Sequence, residues 1–140
     1  MKTRYTPLLK IKKSDLDKCE RELQIANQTL QDANLSLQDA YAVLAQLQTP
    51  VHGKIQEMLQ ARSFINIQRS IVEDKKNWVD FASHQVESAV AKLKISNLEY
   101  EKFKYLDYEE IKKQLTARAK KESKELDEIA LMTYKKKEEL

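Results

Sequence analysis

Leucine returns every seventh residue at Leu9, Leu16, Leu23, Leu30, Leu37 and Leu44. Three positions later comes a small residue at Cys19, Ala26, Ala33 and Ala40, and then Leu47. A seven-residue apolar repeat held this long predicts a helix that wraps a partner helix, because 3.5 residues per turn keep one stripe on one seam. Alternating leucine with alanine further predicts that the two backbones approach closely at the alanine layers.

A second column runs through Met58, Ile65, Val72, Val79, Val86, Leu93 and Tyr100, with Ala61, Gln68, Lys75, Ala82, Ala89, Ser96 and Phe103 three residues on. Past Phe103 the apolar residues Tyr108, Ile111, Leu115, Ala119, Leu126 and Ile129 read as a different register. Between the two columns, Thr49-Pro50-Val51-His52-Gly53 combines the two strongest helix breakers. The pattern predicts an all-α fold: a long antiparallel two-helix coiled-coil hairpin with an overlong C-terminal helix. Helix one would cover about 6–48, the turn 49–53 and helix two about 54–138, in one elongated domain over 1–140. Thr6 is the expected cap, with Pro7 in the first turn, where a missing N–H costs nothing. Folded at Pro50–Gly53, the chain would set Leu47 opposite Met58 and Leu9 opposite Ser96. Residues 104–140 would then be a single helix of roughly 55 Å at 1.5 Å per residue. Val51 keeps the heptad phase across the break, so a parallel dimeric rod is the competing architecture. It would have to carry proline inside both helices at ~3 kcal/mol each.

Composition narrows the function. One glycine in 140 residues leaves no phosphate-cradling loop or dinucleotide fingerprint. His52 and His84 stand in no cysteine or carboxylate constellation, so neither catalytic residues nor cofactor- or metal-binding ones are expected. The 25 basic and 22 acidic residues are interspersed, giving a solvated surface rather than a nucleic-acid face. Cys19 falls on the seam as a small apolar residue. No stretch reaches the ~18 apolar residues of a membrane span, and a cytoplasmic protein is expected.

Two surfaces remain. Phe64, Ile67, Ile71, Trp78 and Phe81 form an apolar stripe beside the seam of helix two, with Tyr41 and Val43 near it. Either Val51 and Ile55 of the turn segment fold over this stripe, or it is a protein-binding patch. In the C-terminal arm, Tyr108, Leu115, Leu126 and Ile129 accompany the charged run from Lys120. That run is either a solvated face or part of a docking helix.

The chain resembles the flagellar export protein FliJ and its injectisome counterparts. The resemblance lies in the opening Tyr5-Thr-Pro-Leu-Leu-Lys-Ile-Lys12, the leucine/alanine first helix, the length, and the ending Lys121-Glu-Ser-Lys-Glu-Leu-Asp-Glu-Ile-Ala130. It implies a non-enzymatic stalk-like coiled coil in the export ATPase ring that couples the ring to the export gate and to export chaperones. Such a protein would be cytoplasmic and peripheral to the export apparatus at the inner membrane, without direct membrane insertion. It places gate contact near the start of helix two, with the family's aromatic position on Phe64 and a further apolar one on Ile71, within the protein-binding tip patch read from the residues as Tyr41, Phe64, Ile67, Ile71 and Trp78. The chain departs from the family patch at Gln68 and Lys75. The arm residues Tyr108, Leu115, Lys124, Asp127 and Glu128 would face the other partner. A hairpin chaperone for exported proteins is the alternative.

Overall fold

The computed structural model describes residues 2–138 and consists of two helices, α1 (Thr6–Gln46) and α2 (Ile55–Glu138). Both belong to one antiparallel coiled-coil hairpin, because residues of α1 pair with residues of α2 in the same chain: the Gln68 side-chain amide donates to the Ala40 carbonyl at 2.9 Å. That pairing replaces the parallel rod. The turn holds because Gly53 takes a φ of +153°, a conformation open to glycine and strained for any residue with a Cβ. A Cβ there would also meet the Glu57 carboxylate at 2.7 Å.

The chain divides into two compact units, Asp15–Ser96 and a second formed by Met1–Ser14 with Asn97–Leu140. In the first, the seam is the heptad column. Leu16, Ala33 and Ala40 of α1 and Val72 and Ala82 of α2 are buried, while the other column residues are half-buried. Ala33 and Ala82 have no solvent exposure at all, and no large side chain among the described residues is fully buried. A two-helix seam is one side chain thick, so only the small residues disappear completely into it. Gln68 sits in this seam, and its amide reaches a main-chain carbonyl because Ala40 leaves the way open.

In the second unit the start of the chain is tied down by polar groups. The cap differs from the expected one. The Thr3 N–H donates to the Thr6 hydroxyl at 2.9 Å, and the Tyr5 N–H donates to the Thr3 hydroxyl oxygen at 3.1 Å. This reciprocal arrangement makes Thr3 the capping residue and Thr6 its answering side chain. Pro7 has no N–H to offer the Thr3 carbonyl, which instead accepts from the Thr6 N–H at 3.2 Å. The Thr3 hydroxyl donates in turn to Asp107.

The facing residues also differ from those expected. Lys12 contacts the Glu99 carboxylate at 2.7 Å and the face of Phe103, while Lys13 lies over Tyr100. Leu9 therefore faces α2 beyond Ser96. Nor does the register slip after Phe103: Tyr100, Phe103, Asp107, Glu110 and Gln114 are half-buried at heptad spacing. The apolar pattern concealed this because polar residues occupy the seam positions, and Thr3 and Arg4 supply polar partners for Asp107 and Glu110. The fully exposed part of α2 thus runs over 115–138 rather than from 104, about 36 Å at 1.5 Å per residue.

Two outcomes follow from this packing. Ala33→Leu should lower stability by about 1–3 kcal/mol through overpacking, read from thermal or urea unfolding; an unchanged or raised melting temperature would refute the close alanine layer. Lys12 holds the Glu99 carboxyl below its ordinary range by a hydrogen bond and its charge. The stabilisation from this pair is present above the ordinary carboxylate pKa and lost as pH falls through the lowered value. Because the pair is exposed, added salt should weaken it as well. Glu99→Gln should abolish that pH-dependent part, and an unaltered pH profile would show the pair to be inert.

Candidate protein-docking surfaces

The seam uses one stripe of each helix and leaves the rest in solvent. Along α2 in the unit Asp15–Ser96, Phe64, Ile67, Ile71, Trp78 and Phe81 form a second apolar stripe, each lying one residue before a seam position. One residue of an α-helix is a rotation of about 100°, so this stripe faces sideways from α1. Phe64 is 61% exposed, Phe81 60% and Trp78 37%. The turn does not cover them: Val51 and Ile55, the residues expected to fold over the patch, are themselves among the most exposed apolar side chains. Leu59, near the start of α2, is a further exposed apolar side chain, but it lies one residue after the seam position Met58 and so on the other flank of the helix.

Basic side chains border the stripe. The Lys75 ammonium lies 5.4 Å from the Trp78 ring centroid, and the Lys76 ammonium 5.7 Å from that of Tyr41. A hydrogen bond from Lys76 to the Tyr41 hydroxyl, with its electrostatic attraction, holds this ammonium above the ordinary lysine range. Tyr41 therefore lies on α1 within reach of the α2 surface. Gln68 and Lys75, which interrupt the apolar pattern, are half-buried seam residues rather than members of the exposed stripe.

In the other unit, Tyr108, Leu115, Lys124, Asp127 and Glu128 are all exposed. Every residue over 115–138 is exposed, including Leu126 and Ile129 and, beyond the residues singled out by sequence, Leu131, Met132 and Tyr134. Met132 and Tyr134 follow the three- and four-residue spacing from Ile129 and Leu126 and could have been found by extending it, whereas Leu131 lies off that spacing.

Among the described residues no group of three or more His, Cys, Asp or Glu side chains could hold a metal ion. His84 has only an exposed contact to Glu87 at 3.6 Å, and Cys19 is half-buried in the seam. No described helix is long and apolar enough to cross a membrane. What the surfaces offer is aromatic and aliphatic area on a helix, which is the chemistry of helix–helix and helix–groove recognition.

The fold and these surfaces define a helical-hairpin coiled coil with exposed apolar stripes. The model of the flagellar FliJ protein family matches residues 1–139, and the chain belongs to that family. Among solved structures, one described as a YscO homologue from Chlamydia trachomatis superposes with a TM-score of 0.76 at 21% sequence identity, covering 96% of each chain. That likeness concerns the fold. No relative among curated proteins matches.

The arm should exchange its amide hydrogens faster than residues 65–95, because a helix without tertiary packing is marginal in water. Equal protection of 115–138 in the isolated protein, measured by hydrogen exchange, would show that another part of the protein or a second chain already covers it.

Proposed function

We propose that this flagellar export component acts as a stalk that engages the export ATPase ring through its C-terminal arm. It would couple that ring to the cytoplasmic domain of the export gate and to export chaperones through the stripe on α2. The observation that carries this reading is the division of apolar surface. The hairpin satisfies one stripe of α2, and the exposed aromatics and the arm are left as two separate apolar surfaces. Membership of the FliJ family supplies the apparatus in which they would act. The chain would serve without catalysis, from the cytoplasmic face of the inner membrane. Large aromatics are the side chains that most often anchor protein interfaces, and Phe64 is the most exposed aromatic of the stripe.

Mixing the protein with the export ATPase should slow hydrogen exchange over 115–138. No change there on a demonstrably formed complex would remove the arm from the ring. Phe64→Ala should weaken capture of the gate domain or a chaperone by about tenfold or more, the loss of one hot-spot aromatic. Helix content and ATPase binding should remain. A large drop in melting temperature with unchanged gate binding would make Phe64 a structural residue instead.

A further inference from the structure

The stripe on α2 has a regularity that docking to an unrelated partner does not require. Phe64, Ile67, Ile71, Asp74, Trp78 and Phe81 follow one another at spacings of three and four residues, as the core of a coiled coil does. This second core is rotated by one residue from the first, so α2 carries two seams about 100° apart. That is the arrangement of a helix at the corner of a bundle, with a neighbour on each side. The matching positions of α1 are mixed, with Leu8, Ile11, Ile25 and Val43 separated by Asp15, Lys18, Glu22, Thr29, Asp32 and Asp39, so the unbroken apolar run from Phe64 to Ile71 belongs to α2.

The second seam also reads alike in both directions. Laid antiparallel against itself, it pairs Phe64 with Phe81, Ile67 with Trp78 and Ile71 with Asp74, with the symmetry axis between Val72 and Glu73. The polarity beyond its ends is symmetric too, since Glu57 and Gln60 face Ser88 and Gln85. An interface about a two-fold axis needs this property: each residue must be acceptable opposite its counterpart in an identical chain. The residues that would flank the contact, Ser63 against His84 and Ser70 against Asn77, are polar and uncharged or weakly charged, so the flanks set no like charges against each other; the two copies of Asp74, in the adjacent layers beside the axis, are the one like-charge approach.

We infer that the occupant of this stripe in the isolated protein is a second copy of the chain, joined α2 to α2 in antiparallel fashion through Phe64, Ile67, Ile71, Trp78 and Phe81. The area is that of a weak, reversible contact. At the exposures of Phe64, Ile67, Ile71, Trp78 and Phe81 the stripe offers at most on the order of 500 Å² per copy, below the ~800 Å² per partner of a standard interface. Asp74, opposite Ile71 in the two layers beside the axis, is the one charged residue type of the stripe. It weakens the dimer and fixes its register, as a single polar core residue does in a coiled coil. The dimer buries the side chains assigned above to the gate and chaperones, so self-association and docking are mutually exclusive.

The test uses the purified full-length chain alone, so its failure leaves the docking reading untouched. Sedimentation over a dilution series should show a dimer that dissociates on dilution. Phe64→Glu should abolish it without loss of helix content, and Asp74→Leu should tighten it by about tenfold or more. Cross-linking fixes the direction. With Cys19→Ala in both, a mixture of Phe64→Cys and Phe81→Cys chains should form mixed disulfides, while Phe64→Cys alone should not, because its two thiols would lie about 25 Å apart along the helix. A chain monomeric at every soluble concentration would overturn the inference. So would a dimer that survives Phe64→Glu, or a disulfide between two Phe64→Cys chains.

Discussion

A two-helix seam can hide one stripe of each helix and nothing more, and the rest of this structure follows from that limit. With no second layer, a leucine in the seam always keeps one side toward water. Full burial is reached only where the residue is small enough to fit between the backbones, as at Ala33 and Ala82. The close approach at these layers has a polar consequence. Beside Ala40 a side-chain amide can reach a main-chain carbonyl, and Gln68 does so. A hydrogen bond of this kind works only at one axial setting of the helices, so it adds register specificity to a core whose leucine layers resemble one another.

That hydrogen bond also clarifies how the chain stands within its family. Gln68 and Lys75 look like breaks in an apolar docking patch when the sequence is read linearly. On the helix they occupy the seam, one residue after the stripe positions Ile67 and Asp74. Their polarity therefore concerns the pairing of α1 with α2 and leaves the exposed stripe apolar at every position but Asp74. A single-residue offset on a helix separates a core position from a docking position, and composition alone cannot register it.

The heptad columns, the break at Pro50–Gly53 and the two exposed surfaces were legible in the sequence because each is a local pattern of residue type. The facing of the helices was not. Which residue opposes Leu9 depends on how the segment from Leu47 to Lys54 spends its length, and periodicity is silent about that. The last layers were hidden for a different reason. Asp107, Glu110 and Gln114 lie in register with Tyr100 and Phe103, yet hydropathy reads them as surface. Their place makes sense only with Thr3 and Arg4 beside them, because a hydroxyl and a guanidinium offset the desolvation of two carboxylates. The arm was consequently read as longer than it is.

An apolar stripe kept in water carries an aggregation cost, and a soluble protein can reduce it by covering the stripe reversibly. Reversibility sets a limit on how good the cover can be. If a second copy occupied the stripe too tightly, any docking partner would have to exceed that affinity before it could bind, since only the free monomer presents Phe64 and Trp78. A fully apolar palindrome would err in that direction. Asp74 placed opposite Ile71 weakens self-pairing at its centre, while a heterologous partner can meet the same carboxylate with a donor of its own. The charged residue in the middle of the stripe is thus costly to the homotypic contact and neutral or favourable to a heterotypic one. By that asymmetry, one helix face can remain soluble alone and still yield to the partner it serves.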